Sequence, residues 1–199
     1  MDWRLYKAVY GVSLHHHWVG TLFNAVEQAS IPAMVVLTTA LWFLSRPGGS
    51  RKWKLACGSA FAAAALAFGI ASVIHHIWAR PRPYMTHHIA HPWSNTTDAS
   101  FPSDHATVTF AIAFAVLSFD GVAGAVFLVV AAIITVGRLF IGAHYPGDVL
   151  TGFAVGLAAA GIVVRLLPGL VDRVVRGVER LSDPLLAPVW RLVPSRNGR

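Results

Sequence analysis

In the stretch GRLFIGAHYPGD, residues 137–148, Arg138 is followed after five residues by His144 and after three more by Asp148. Two shorter polar clusters precede it: ARPRP at 79–83, with Arg80 and Arg82, and FPSDHA at 101–106, with Ser103, Asp104 and His105. Planar guanidinium forks grip phosphate oxygens in pairs. Ser103 follows a proline and opens an apolar run, so it reads as a helix N-cap. The free backbone N–H groups behind it would form an anion site at the helix's positive end. His105 sits just inside that end, placed to give or take a proton. Pro146 suits the first position of a helix, which sets Asp148 one turn from His144. A carboxylate on one ring nitrogen would fix the tautomer and leave the other nitrogen's lone pair free to attack.

These residues stand in costly places. Of the 199 residues 55% are hydrophobic and only 13% charged, the balance of a multi-pass membrane protein. An arginine or aspartate at the centre of a membrane helix costs roughly 2.5–3.5 kcal/mol on insertion scales. Five apolar runs read as spans: about 26–44, 54–79, 104–119, 122–141 and 148–167. None shows strand-like alternation, so the fold class is all-α, a multi-pass transmembrane helical bundle. The third run is short, with roughly 25 Å of rise from Ser103. Residues 1–25 carry Trp3, Tyr6, Tyr10 and Trp18 among polar groups and read as an interfacial or partly inserted helix, or as a sixth span. From 168 to 199, Leu and Val alternate with Arg173, Arg176 and Arg180, as in an amphipathic helix on the membrane surface. The whole chain, 1–199, reads as one integral-membrane domain.

Alternation of the spans gathers the three polar clusters on one face of the membrane. The loop SRPGGSRKWK and the arginine-rich tail fall on the other, which the positive-inside rule makes cytoplasmic. The site is therefore expected on the extracytoplasmic side of the cell membrane. The net charge of +7 is a topology signal, and no nucleic-acid partner is expected. Cys57 is alone, which excludes an intrachain disulfide and a cysteine metal site, and the N-terminus lacks the features of a cleaved signal peptide. His87 and His91 stand four apart, with His88 between them, but Pro92 follows and no carboxylate adjoins them. Neither metal nor cofactor is expected, and headgroup contacts from residues 84–100 are the better reading.

The three clusters resemble the signature of the type 2 phosphatidic acid phosphatase superfamily: Lys-x6-Arg-Pro, Pro-Ser-Gly-His, and Ser-Arg-x5-His-x3-Asp. Arg82-Pro83 matches the first, Pro102-Ser103-x-His105 the second and Arg138-x5-His144-x3-Asp148 the third. DASFPSDHA and the early YKAVYGVSLHH are most similar to the bacitracin-resistance-type undecaprenyl pyrophosphate phosphatases within it. This chain departs from the signature at His75, where the lysine stands, at Asp104 for the glycine and at Gly137 for the serine. The resemblance implies metal-independent hydrolysis in two steps. His144 would attack phosphorus, oriented by Asp148, and His105 would protonate the leaving oxygen and then activate water. Arg82, Arg138 and Ser103, with Arg80, His75 and Asp104 at hand, would bind the substrate. That substrate is expected to be a polyprenyl diphosphate lipid, reached from the bilayer.

Other readings use the same residues. Phosphatidate, phosphatidylglycerophosphate or a prenyl-phosphosugar could be the substrate, and a phosphotransferase would share the first step. A transporter or non-catalytic lipid-binding protein fits less well, since no inverted repeat is present and the polar residues lie at span ends, not the midplane.

Overall fold

The computed structural model describes residues 2–45, 51–87, 89 and 93–192, at 189, 191 and 192 by backbone alone. The described residues form helices and connecting turns: α1 (Asp2–His15), α2 (His17–Leu44), α3 (Lys52–Ile77), α4 (Pro83–Thr86), α5 (Asp104–Leu117), α6 (Gly121–Phe140), α7 (Pro146–Leu166) and α8 (Pro168–Leu192). By length and apolarity α2, α3, α6 and α7 suffice to cross a membrane. α5 has 14 residues, ~21 Å of rise against a hydrocarbon core of ~30 Å. Its shortness is explained by its place. It packs against α2, α3, α6 and α7, and its apolar residues from Ala106 to Val116 are mostly buried. It meets protein on nearly every side, whereas α6 turns Val122, Val126, Val129, Ile133 and Val136 outward as a stripe for lipid.

The expected first span starts earlier than the sequence suggested. Residues 17–25, grouped with the N-terminal segment by their polarity, belong to α2, and the chain breaks at His16. Tertiary packing explains the difference. A Cβ on Gly20 would lie 2.3 Å from the Trp93 ring, so the glycine is a seat for an indole. Trp93 covers Gly20 and meets Tyr10 edge-on.

Without a hydrophobic force between helices in lipid, close packing of small residues holds the bundle. α3 buries Ala56, Ala60, Ala63, Ala67 and Ala71 along one stripe. α7 presents Gly152 and Gly156 to α5, where added Cβ atoms would lie 2.8 Å from the Ser103 carbonyl and 2.7 Å from that of Thr107. This near-contact of backbones lets Ser103 N donate to Asp148 O at 3.1 Å, joining the second polar cluster to the third.

The far end of the bundle gathers the basic residues after α2. Arg51 pairs with Asp172 and Glu179, Lys54 with Asp183 and Glu179, and Lys52 with Asp120, the N-cap of α6. The Lys52 ammonium, with N–H donors from Ala123 and Trp53, holds the Asp120 carboxyl well below the usual carboxylate range. α8 folds back on α3 through Val171 and Val175, which close over Gly58.

Candidate active site

All three polar clusters meet at the other end of the bundle. Arg82, Ser103, Arg138, His144 and Asp148 are each at most 3% exposed. After α6 the chain reverses through Gly142, whose φ of +75° favours glycine and whose surroundings leave no room for a Cβ beside Tyr6 and Tyr10. The reversal returns His144 beneath Arg138, and Pro146 starts α7 directly afterwards.

The hydrogen bonds of His144 assign its tautomer. Nδ1 lies 2.8 Å from the Ser100 carbonyl, which can only accept, so Nδ1 carries the proton. Nε2 is then the bare nitrogen. It accepts from Arg138 Nη2 at 3.1 Å and from Arg82 Nη1 at 3.3 Å. The lone pair thus faces two guanidiniums, the groups that grip phosphate oxygens in pairs. Burial, followed by the charges of Arg138 and Arg82, holds the imidazole well below its ordinary range.

That shift has a measurable consequence. The unfolded chain takes up a proton near the ordinary imidazole value of about 6.5, whereas the folded chain resists it. The unfolded state then binds more protons, so folded stability declines as pH falls below about 6.5. The apparent melting temperature in detergent should drop between about pH 7 and about pH 5, and His144→Gln should shrink that drop. An unaltered pH dependence in the variant would refute a neutral buried His144.

Asp148 departs from expectation. The helical spacing led us to expect its carboxylate on the imidazole, but Oδ2 lies 3.8 Å from Nδ1. As the third residue of α7 it turns back to the helix start, accepting from Tyr145 N at 2.9 Å and from Ser100 Oγ at 2.5 Å. Ser100 therefore stands between them, its hydroxyl on Asp148 and its carbonyl on His144. Arg80 also differs. Its guanidinium donates to Asp148 at 2.7 Å and Asp2 at 2.8 Å, and lies 4.0 Å over the Tyr145 ring, so its fork is already committed. His75 Nε2 lies 2.9 Å from the Pro102 carbonyl and 3.7 Å from Asp104 Oδ1. It braces the turn that delivers Ser103.

Ser103 is the N-cap of α5 in backbone geometry, yet its hydroxyl does not bond the first turn. Among the described residues that hydroxyl is buried with no hydrogen-bond partner, as are Asp104 Oδ1 and Arg138 Nε. Buried polar atoms are rarely left so, and an incoming phosphate would satisfy the two donors. His105, next on α5, is half-buried and within electrostatic reach of Arg82 and His144.

Sequence reasoning missed four residues here. Ser100 is one. The others are carboxylates that hold the arginines: Asp2 on Arg80, Asp98 on Arg82 and Glu27 on Arg138. Glu27 had a signal, since it is the only acidic or basic residue apart from His17 in α2, and an ionisable group inside a span implies a partner. His87 stacks on Trp3, while His88 and His91 lie outside the described residues. Among the described residues, no three His, Cys, Asp or Glu side chains form a metal-sized group.

A helical membrane bundle with a bare histidine nitrogen between two buried guanidiniums at one end defines a protein that handles phosphoryl groups at the membrane. The PAP2 superfamily profile matches residues 56–172, and the chain belongs to that superfamily of membrane phosphatases. It is 29% identical to the undecaprenyl-diphosphatase BcrC of Bacillus subtilis over 188 residues, covering 93% of this chain and 95% of that one. It is 38% identical to the decaprenylphosphoryl-5-phosphoribose phosphatase of Mycolicibacterium smegmatis over 117 residues, covering 59% and 61%. The crystal structure of LpxE from Aquifex aeolicus superposes with a TM-score of 0.66 at 19% identity, covering 82% of this chain and 94% of that one, which shows a shared fold.

Proposed function

We propose that the chain hydrolyses a polyprenyl diphosphate, of the undecaprenyl class, to the lipid monophosphate and inorganic phosphate at the extracytoplasmic face of the cell membrane. The observation that carries this reading is the tautomer of His144: Nδ1–H on Ser100 O, and an unprotonated Nε2 that faces two arginines. An arriving phosphate takes over the N–H groups of Arg82 and Arg138, and so uncovers the lone pair. Nε2 attacks the terminal phosphorus, and the bond from phosphorus to the bridging oxygen breaks. The leaving lipid monophosphate takes a proton from His105. His105 then removes a proton from water, whose oxygen attacks the phosphohistidine and breaks the P–N bond. Arg82, Arg138 and the free hydroxyl of Ser103 stabilise the equatorial oxygens in both steps.

Near full-length similarity to BcrC supports the diphosphate as substrate. The Mycolicibacterium smegmatis relative favours a second reading, a prenyl-phosphosugar phosphatase. Orientation is supported by the charge at the end remote from the site, where Arg51, Lys52 and Lys54 lie. The short α5 would set Ser103 near headgroup depth, within reach of a lipid arriving sideways.

The test is phosphate release by purified protein in detergent with EDTA, offered undecaprenyl diphosphate, phosphatidate and a prenyl-phosphosugar in parallel. The diphosphate should be preferred by tenfold or more. Equal or faster release from either other lipid would overturn the substrate, and no release from any would overturn all three substrate readings.

A further inference from the structure

The first turn of α1 reaches into the site's scaffold. Tyr6 Oη donates to the Gly142 carbonyl at 3.2 Å, Tyr6 packs on Tyr145, and Trp3 stacks on His87. These contacts clamp α1 over the turn that carries His144. Asp2 is thereby set against the N-terminus of α7. Its Oδ1 accepts from Gly147 N at 2.9 Å, one of the amides a helix start leaves without an internal partner. Its Oδ2 accepts from Arg80 Nη2 at 2.8 Å. A Cβ on Gly147 would come within 3.0 Å of that carboxylate, so the glycine provides the room for it.

From Asp2 a continuous chain of hydrogen bonds runs to the nucleophile. Arg80 Nη1 donates to Asp148 Oδ1, Asp148 Oδ2 accepts from Ser100 Oγ, and the Ser100 carbonyl accepts from His144 Nδ1. Arg80 is held flat on the Tyr145 ring between its two acids. We propose that Asp2 is a positioning residue of the active site: it fixes Arg80 and the start of α7 so that Asp148 and Ser100 hold the His144 ring in its attacking tautomer. The proposal rests on the phosphatase reading above for its kinetic consequence, though not for its structural one.

Magnitudes decide where the effect will show. Asp2 and Arg80 side chains are 32% and 27% exposed, and ion pairs at such exposure add little to stability. Asp148 is fully buried, and Arg80 Nη1 donates to its Oδ1 at 2.7 Å. Loss of Asp2 should therefore act on the alignment of His144, which is a kcat effect, more than on folding or substrate affinity.

The experiment compares Asp2→Asn, Asp2→Ala and Asp2→Glu with the parent, on the lipid that the parent turns over fastest. Asp2→Ala and Asp2→Asn should lower kcat about tenfold with KM within twofold, and Asp2→Glu should recover part of the loss. Asp2→Ala combined with Arg80→Ala should be no slower than Arg80→Ala alone. Independent of turnover, the ring nitrogens of His144 in 15N-histidine spectra, assigned by loss in His144→Gln, should move from a single Nδ1–H form toward tautomer exchange in Asp2→Ala. An unchanged kcat, a loss confined to KM, or additive losses in the double variant would overturn the proposal. So would an unmoved His144 spectrum. If the parent releases no phosphate from any of the three lipids, all three substrate readings fail, and the spectrum still decides the role of Asp2.

Discussion

His144→Ala should lower turnover by about 10⁴-fold or more, since removing a nucleophile leaves only the contribution of binding and charge stabilisation. The parent, stopped in alkali during turnover, should carry phosphate that is stable to base and released by acid, the behaviour of a phosphohistidine. The variant should carry none. Its affinity for substrate should remain within a few fold, because Arg82 and Arg138 remain and lose only a neutral ring from their forks. His144→Gln should be as inactive, because an amide offers hydrogen bonds but no comparable nucleophile. Turnover above a tenth of the parent's in either variant would exclude His144 as nucleophile and leave a direct attack by water.

How much of this was legible in the sequence follows from what each residue bonds. Arg82, Ser103, Arg138, His144 and Asp148 lie in short motifs whose spacing and residue types speak together, and the structure buries all five at one end of the bundle. The helical runs were legible for the same reason, local apolar content. The supports were not. Glu27 meets Arg138 across 111 positions, and Asp2 meets Gly147 across 145, so no window of sequence contains both partners. The link between Asp148 and His144 failed in a different way. Four residues is the right interval for contact on a helix, but His144 precedes the helix while Asp148 is its third residue. A carboxylate there is drawn to the helix's unpaired amide N–H groups, which left the imidazole to the Ser100 carbonyl. Gly20 illustrates a third reason: it lies in a segment that reads as interfacial from its neighbours, while its role is set by an indole 73 positions away.

Arg138 carries the second large effect. Arg138→Lys retains the charge but not the fork, and should lower kcat about 100-fold, in the range for losing one transition-state donor. Arg138→Ala should cost about 10³-fold and also destabilise the protein, for a reason outside the chemistry. Arg138 Nη1 donates to Glu27 Oε1, and the arginine is almost wholly buried while Glu27 is largely so. Removing one member of a buried pair leaves the other as an uncompensated charge, at a cost of about 3–5 kcal/mol. Pairing Arg138→Ala with Glu27→Gln should therefore restore much of the melting temperature while leaving turnover as low as in Arg138→Ala. Glu27→Gln alone should lower kcat by about tenfold, because a neutral amide holds the guanidinium less firmly against Nε2, and should itself lower the melting temperature, because it leaves the buried Arg138 charge uncompensated. Recovery of turnover in the double variant would show that Arg138 serves the site only by neutralising Glu27. Failure to recover stability would show that Glu27 is not held in place by the arginine. With both expected results, Arg138 has two separable duties: one guanidinium nitrogen belongs to the bundle and the other to the phosphate.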